Sequence, residues 1–242
     1  MERGSGSVVA TFFVEAQPVP GGTLALPESA ARHAQVRRMA VGDEARVVDG
    51  AGTIGLGVLK SLGKGAAEVE VRACETVPRP APLTLLVPVA DRDRMLWLAE
   101  KATELAITVW RPVMFLRSRS VSPRGEGEAF ARKIRARMVS ALEQSGGAWL
   151  PVVHAEESLD EAAAAVATGA RFVLDAGGAP MTGFAPFAET AVIVGPEGGI
   201  ERSELDMLLT VGWRAASLGH TTLRFETAGV AAAAIVRVSQ GL

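Results

Sequence analysis

Residues 191–200 are Ala191-Val192-Ile193-Val194-Gly195-Pro196-Glu197-Gly198-Gly199-Ile200, and the fold of the chain depends on them. The apolar, β-branched run predicts a buried strand, which ends at Gly-Pro because proline cannot continue a hydrogen-bond ladder. The glycines that follow predict a tight corner leading into a helix. In open α/β sheets, ligands bind outside the carboxyl ends of strands, beside helix N-termini. The corner is therefore a candidate ligand site, although an ordinary turn between a strand and a helix has the same sequence pattern.

A second stretch, Leu218-Gly219-His220-Thr221-Thr222-Leu223-Arg224-Phe225-Glu226-Thr227-Ala228, repeats this order of features. Residues 214–218 predict a weaker strand that ends at Gly219, and a helix is predicted over residues 226–238. Arg224 and Glu226 form a charge pair that would be costly to bury in a turn without a ligand. We therefore expect the two loops to close around one small molecule.

Together, the Gly195–Gly199 and Leu223–Ala228 motifs resemble the signature of the 16S ribosomal RNA uridine-N3 methyltransferases, a branch of the SPOUT superfamily. The resemblance extends to residues 101–105, residues 143–146 and, more loosely, residues 33–52, so it spans nearly the whole chain. It implies an α/β fold whose C-terminal part is a parallel sheet with helices on both faces and a trefoil knot, preceded by a small PUA-like β-barrel that binds RNA. It also implies S-adenosylmethionine as methyl donor, a homodimer, 16S ribosomal RNA or the small ribosomal subunit as partner, and no metal.

The resemblance assigns roles to individual residues. The catalytic candidates are Arg224, which could stabilise charge on the uracil oxygens or hold a phosphate, and Glu226, which could accept a proton or orient Arg224. A purely structural ion pair that braces the loop is the alternative. The candidate donor-binding residues are Leu174, Gly195, Pro196, Glu197, Gly198, Gly199, Leu218, Gly219, Leu223, Thr227 and Ala228. Without a Cβ, the glycines would let the backbone approach a flat ring closely.

The distribution of charge favours an RNA partner, although the formal net charge of the 242 residues is −2. Residues 79–140 carry 12 Lys and Arg against 6 Asp and Glu, whereas residues 141–242 carry 5 against 12. A local basic face attracts a phosphate backbone even on an acidic protein, but most charged segments are simply solvated helix surfaces. The candidate RNA-binding residues are Arg32, His33, Arg37, Arg38, Arg94, Lys101, Arg117 and Arg119. For His33, a packing role is equally compatible with the sequence.

Turn signals and prolines divide the chain into two parts. Residues 8–73 predict short strands at 8–14, 23–26, 45–48, 54–59 and 67–71, with a helix over 28–39, and this is the pattern of a small barrel. Residues 74–82 contain three prolines and predict an extended linker. We therefore expect one domain over residues 1–77 and a second over residues 78–242.

Strands and helices alternate beyond residue 83, which predicts a parallel sheet with helices on both faces. Strands are predicted at 83–89, 109–116 and 171–175. Helices are predicted from Asp91 or Asp93 to about residue 106, over 129–145 and over 157–167. Residues 175–178 mark a third strand end.

Other classes of protein lack support in the sequence. The single cysteine, Cys74, forms neither an internal disulfide nor a zinc site, which fits a reducing cytosol and a cytoplasmic protein. No apolar run has the length of a membrane span, and residues 1–7 lack the core of a signal peptide. The glycines of residues 52–65 do not have the spacing of a nucleotide-binding loop. Neither an early Gly-x-Gly-x-Gly motif nor a Gly-x-Ser-x-Gly nucleophile motif is present.

Some positions depart from the family pattern on the expected RNA side. They are Thr11-Phe12-Phe13 and Gly147-Ala148-Trp149, where an arginine is usual, and His220-Thr221, where a Pro-basic or Lys-Arg pair is more common. Donor binding is therefore a firmer expectation than the identity of the RNA. Two alternatives remain open: a SPOUT methyltransferase that acts on another RNA site or a ribose hydroxyl, and an RNA-binding ribosome-assembly module without catalytic activity.

Overall fold

A computed structural model describes residues 9–120, 125–184 and 188–241. The strands are β1 (Ala10–Phe13), β2 (Thr23–Leu26), β3 (Glu44–Val48), β4 (Thr53–Gly63), β5 (Ala66–Thr76), β6 (Leu83–Pro88), β7 (Val109–Met114), β8 (Val152–Val153), β9 (Glu157–Ser158), β10 (Ala170–Pro180), β11 (Thr190–Ile193) and β12 (Arg214–Ser217). The helices are α1 (Glu28–Val36), α2 (Arg92–Glu104), α3 (Glu128–Ser145), α4 (Leu159–Ala164), α5 (Arg202–Thr210) and α6 (Phe225–Ser239).

The chain forms two compact units. The first consists of the described residues up to Arg79 together with Leu142–Leu150, and the second of Pro80–Ala141 and the described part of Pro151–Leu242. Residues 142–150, which the expected division at residues 77 and 78 places in the second part, thus group with the first. Within the described ranges, no helix is both long enough and apolar enough to cross a bilayer.

The first unit is built on a five-stranded half-barrel with the strand order β1-β3-β4-β5-β2. Only β1 and β3 run parallel, and the other neighbours are antiparallel. Its core combines apolar residues of the strands, such as Phe12, Val47 and Val69, with three buried alanines of α1, Ala30, Ala31 and Ala34. The resemblance implied a small PUA-like β-barrel here, and the unit has this strand-rich fold as a half-barrel, with β1 and β2 at its two edges.

Residues 142–150 complete this unit with polar contacts. The Glu143 side chain accepts a hydrogen bond from the Phe13 backbone N–H, with 2.8 Å between Oε1 and N. The Trp149 indole Nε1 donates to the Val77 carbonyl oxygen at 2.9 Å, and the Arg79 guanidinium lies over its ring. The departure at Gly147-Ala148-Trp149 therefore has a structural role within the first unit.

The second unit is a parallel sheet with the order β12-β10-β11-β6-β7-β8, and β9 also pairs with β7. One face packs against α4 and α5 through a cluster that includes Leu86, Ile193, Leu159 and Leu208. Helix α6 contacts β6, β11 and α2. Helices thus cover both faces of a parallel sheet, as expected, because strands buried on both faces need two apolar layers.

Several predicted boundaries are wrong for local reasons. Helix α1 ends at Val36 rather than at residue 39, since Arg38 adopts a left-handed conformation with φ 57°. Strand β5 continues to Thr76, which shortens the linker predicted over 74–82, because Cys74 pairs with Gly55 in the ladder. Helix α4 covers only Leu159–Ala164 of the predicted 157–167. Asp91, not Asp93, caps α2, and its carboxylate accepts from the N–H groups of residues 93 and 94.

Candidate functional site

The two sequence motifs meet at one cavity of about 270 Å³ in the second unit. The cavity lies where three neighbouring strands end, because β10 pairs with both β11 and β12 in parallel. Its walls come from the segments that follow these strands, together with the start of α6. They are Leu174, Asp175 and Ala176 after the first part of β10; Val194, Gly195, Pro196, Glu197, Gly199 and Ile200 after β11; and Ala216, Ser217, Leu218, Gly219, Thr221, Thr222, Leu223, Phe225 and Ala228 from β12 into α6.

Most predicted donor-binding residues line this cavity. Leu174, Gly195, Pro196, Glu197, Gly199, Leu218, Gly219, Leu223 and Ala228 are in its wall, whereas Gly198 and Thr227 are not. Sequence reasoning missed Asp175, Ala176, Val194, Ile200, Ala216, Ser217, Thr221, Thr222 and Phe225. Several of these neighbour motif residues and could have been included by extending each motif to the end of its strand.

The glycine corner after β11 is a tight turn closed by a hydrogen bond of 2.8 Å from the Gly199 N–H to the Pro196 carbonyl oxygen. Gly199 has a φ of +74°, in the left-handed region that favours glycine. A Cβ on Gly195 would lie 2.7 Å from the Ile200 side chain. The shape of the corner itself therefore favours these glycines, and the close approach of the backbone to a ligand ring stays a prediction.

Gly198 faces Arg117 rather than the cavity. A Cβ at Gly198 would lie 3.3 Å from the Arg117 Cβ, and the Arg117 guanidinium donates to the Gly198 carbonyl oxygen at 2.6 Å. The same guanidinium pairs with Glu201 at 2.7 Å, and this pair raises the pKa of Arg117 and lowers that of Glu201. Arg117, predicted to bind RNA, thus supports the glycine corner from outside.

The segment before Arg117 is attached to the same corner. The Glu204 side chain accepts from the backbone N–H groups of Leu116 and Glu201, so one carboxylate joins the end of β7 to the start of α5. Glu201 and Glu204 also form a capping box at that helix.

Glu197 is the charged residue of the glycine corner, and its carboxylate forms an ion pair with Arg94 of α2. The negative charge on this wall of the cavity is therefore compensated within the protein. Arg94, which we predicted to bind RNA, is engaged in this pair.

Arg224 and Glu226 flank Phe225 at the start of α6, where Arg224 is the N-cap residue. Arg224 is exposed, and its side chain has no hydrogen bond or ion pair to any residue that the structure describes. One carboxylate oxygen of Glu226 is buried and has no hydrogen-bond partner among the described atoms. The expected buried charge pair, and its structural alternative, therefore do not form, and neither side chain is part of the cavity wall.

The other predicted RNA-binding residues have mixed environments. Lys101 lies between Glu100 and Glu104, at 2.8 Å from each, and its pKa is raised by hydrogen bonds to both. Arg32 pairs with Glu28 at the surface of α1. The side chain of Arg119 lies outside the described part of the chain.

The remaining candidates are on the first unit. His33 packs edge-on against Phe12, with ring centroids 6.2 Å apart, and burial followed by the nearby Arg37 lowers its pKa. It thus has a packing contact and reduced basicity, and its role in RNA binding stays a prediction. Arg37 and Arg38 are exposed, and no described residue neutralises either of them. In the described ranges, no group of three or more His, Cys, Asp or Glu side chains is placed to bind a metal.

Comparison with known proteins finds two matching family models. Residues 77–237 match a model described as an RNA methyltransferase domain, and residues 26–72 match one described as an RNA methyltransferase PUA domain. The PUA model thus matches the region of the half-barrel, and the methyltransferase model matches the region of the parallel sheet.

Similar individual proteins cover nearly the whole chain. A protein named Ribosomal RNA small subunit methyltransferase E from Synechocystis sp. is 27% identical over 96% of this chain and 79% of its own length. One of the same name from Mycobacterium bovis is 29% identical over 96% of this chain and 92% of its own. The crystal structure of a Neisseria gonorrhoeae Ribosomal RNA small subunit methyltransferase E, bound to S-adenosyl methionine, matches with a TM-score of 0.86 and 26% identity, covering 95% of this chain and 97% of that one.

Proposed function

The chain belongs to the RNA methyltransferase family, and from that premise we propose that it methylates N3 of a uridine in 16S ribosomal RNA, with the small ribosomal subunit in the cytoplasm as its substrate. It is an RNA methyltransferase that uses S-adenosylmethionine. The small-subunit substrate is supported by relatives of that name that align over nearly the whole chain. The observation that carries the proposal is that both sequence motifs reach one cavity at the ends of three parallel strands.

The cavity has the chemical character that the donor needs. Leu174, Leu218 and Leu223 offer apolar contact to an adenine ring, and the turns at Gly195 and Gly219 expose backbone amides and carbonyls for its polar edge. Bound S-adenosylmethionine supplies a methyl group on a positively charged sulfonium, and no metal chemistry is needed for the transfer.

The protein has to bring the uridine to the donor, remove the N3 proton and exclude water. Glu226 is our candidate proton acceptor, because it follows Phe225 of the cavity wall and one of its carboxylate oxygens has no hydrogen-bond partner among the described atoms. Arg224 is our candidate for the uracil oxygens or an adjacent phosphate, because its guanidinium is exposed and has no described partner. The two side chains then act separately, and Glu226 does not orient Arg224.

We further propose that the chain is a homodimer with a trefoil knot, as its resemblance to SPOUT enzymes implies. Trp97 of α2 is 44% exposed and Val238 of α6 is 75% exposed, on two helices that pack against each other. Exposed apolar side chains on neighbouring helices are consistent with a surface that a second copy covers. Light scattering should give a molar mass twice that of one chain, and a Trp97→Glu substitution should lower this mass toward that of the monomer.

The function is tested by incubating the purified protein with S-adenosylmethionine and undermethylated small subunits, and then analysing the RNA nucleosides by mass spectrometry. We expect 3-methyluridine. Ribose-methylated nucleoside would support the alternative of a related enzyme with a different target. Absence of both methylation and donor binding by calorimetry would identify a non-catalytic RNA-binding module.

Free 16S ribosomal RNA assayed in parallel identifies the form of the substrate. Methylation of subunits but not of free RNA would show that an assembled site is required.

A further inference from the structure

The cavity wall contains a carboxylate, Asp175, that neither sequence motif includes. It lies at a bulge in β10: Leu174 and Ala179 both pair with Ala216 of β12, so residues 175–178 leave the ladder and then rejoin it. A Cβ on Gly178 would lie 2.5 Å from the backbone of Ala215 and Ala216, so the rejoining strand requires glycine there. Bulges beside functional sites redirect side chains, and this one puts Asp175 on the cavity.

The Asp175 carboxylate is oriented by its own loop. Its Oδ1 accepts a hydrogen bond of 2.8 Å from the Gly177 N–H. The structure gives the second oxygen no hydrogen bond or ion pair to any residue in the described ranges. One oxygen therefore fixes the group and the other is available to a ligand.

The charge balance of the wall points to the kind of ligand group. Glu197, the other acidic residue of the wall, is neutralised by Arg94. Asp175 is thus the acidic wall residue whose charge has no described counterpart. A partly enclosed carboxylate is stabilised by a cation, most strongly by one that also donates hydrogen bonds.

We propose that the Asp175 carboxylate binds the ammonium group of the methionine part of S-adenosylmethionine, an assignment that rests on the proposed function. The donor has two positive groups, the ammonium and the sulfonium. The ammonium has three N–H donors, whereas the sulfonium has none, so only the ammonium can form a charge-assisted hydrogen bond with the free oxygen. Asp175 is therefore a donor-binding residue that contributes no proton transfer.

The test compares three ligands by calorimetry. S-adenosylmethionine has both cations, S-adenosylhomocysteine retains only the ammonium, and 5′-methylthioadenosine has neither. Asp175→Asn keeps an oxygen for the Gly177 N–H but loses the charge. We expect this variant to bind S-adenosylmethionine and S-adenosylhomocysteine about tenfold more weakly than the unmodified protein does. Its affinity for 5′-methylthioadenosine should stay within about twofold of the unmodified value.

The matched control is Asp206→Asn on α5, an exposed residue paired with Arg202 and outside the cavity wall, which should alter none of the three affinities. An equal loss for all three ligands would show that Asp175 only shapes the cavity, and would overturn the assignment. A loss of affinity confined to S-adenosylmethionine would assign Asp175 to the sulfonium instead. Unchanged affinities in the Asp175→Asn variant would show that Asp175 does not bind the donor. If the unmodified protein bound none of the ligands, the proposed function itself would fail, and this outcome is distinct from the others.

Discussion

Arg224 and Glu226 have contrasting environments although they are separated by a single residue. Arg224 is exposed, whereas one oxygen of Glu226 is buried without a partner among the described atoms. An exposed side chain without partners contributes little to stability, so Arg224 is available to bind a substrate. A buried oxygen without a hydrogen-bond partner carries a desolvation cost, which a hydrogen bond from a bound substrate would relieve.

Replacing Arg224 by Ala should therefore separate activity from stability. We expect methyl transfer to fall by about a hundredfold or more, because the charge that would develop on the proposed uracil target would lose its electrostatic partner. The donor affinity and the urea midpoint should be unchanged, since the side chain does not line the cavity and has no hydrogen bond or ion pair to a described residue. Arg224→Lys, which keeps the charge but not the planar geometry, should recover part of the rate. Unchanged turnover in the alanine variant would exclude Arg224 from the mechanism.

The partly buried carboxyl of Glu143, in the first unit, should make the stability of the protein depend on pH. Burial raises the pKa of its carboxyl above the ordinary 4.5, although the hydrogen bond from the Phe13 N–H acts in the opposite direction. The folded protein therefore binds this proton more tightly than the unfolded chain does. Its contribution to stability is consequently lost as pH rises from 4.5 through the folded pKa.

Glu143→Gln cannot ionise and keeps an acceptor for Phe13. We expect the variant to have the higher urea midpoint at neutral pH, and the difference to vanish as the pH falls below 4.5. Glu128→Gln, at a side chain that is 97% exposed, is the control and should show no such trend. A constant difference between the Glu143 variant and the original protein across this range would contradict the account.

At the scale of elements, the segment after β7 supports the glycine corner through Arg117. An Arg117→Ala substitution removes the donor to the Gly198 carbonyl oxygen and the partner of Glu201. Because the pair is largely exposed, we expect little loss of stability. The looser corner should weaken donor binding by roughly fivefold and RNA binding much less. The opposite pattern, with RNA affinity reduced and donor affinity intact, would return Arg117 to an RNA-binding role.

The end of α6 is joined to the end of α2 by a buried cation. Arg237 is 4% exposed and donates to the carbonyl oxygens of Leu105, Ala106 and Ala81, while burial lowers its pKa to about 10. An Arg237→Met substitution removes the cost of burying the charged guanidinium, but it leaves these carbonyl oxygens without their hydrogen-bond donor. We expect a net loss of about 2 kcal/mol in urea unfolding, against a change within about 0.5 kcal/mol for the exposed control Arg132→Met. Equal effects for the two variants would show that these hydrogen bonds do not stabilise the fold.

Elements whose ends are marked by local chemistry were predictable from the sequence. Gly195-Pro196 and Gly219 stop their strands for steric reasons that act within a few residues, so both motifs and most of the cavity were found. The bulge after Leu174 was not, because it depends on pairing with Ala216, which lies far away in the sequence. Asp175 was missed for this reason, although residues 175–178 were recognised as a strand end. The pairings of Arg94 with Glu197 and of Arg117 with Glu201 are also long-range, and the sequence therefore left these arginines as RNA candidates.

At the scale of the whole molecule, Arg37 and Arg38 are the predicted RNA contacts that the structure leaves exposed and without a described partner. Arg37→Gln combined with Arg38→Asn should weaken RNA binding and reduce the slope of log affinity against log salt by about two. Asparagine suits the left-handed backbone of residue 38, so the fold should be retained. Donor affinity should not change, and an Arg202→Gln control should leave both affinities intact. An unaltered salt slope would exclude these two arginines from phosphate contacts.

The first unit takes its final part, Leu142–Leu150, from beyond the segment Pro80–Ala141. During synthesis on the ribosome the chain emerges from its N-terminus, so β1 is made well before the Glu143 carboxylate that accepts its Phe13 N–H. The half-barrel therefore lacks this contact until the intervening residues have been translated. Expression of residues 9–79 alone should yield a product that chaperones retain and proteases degrade.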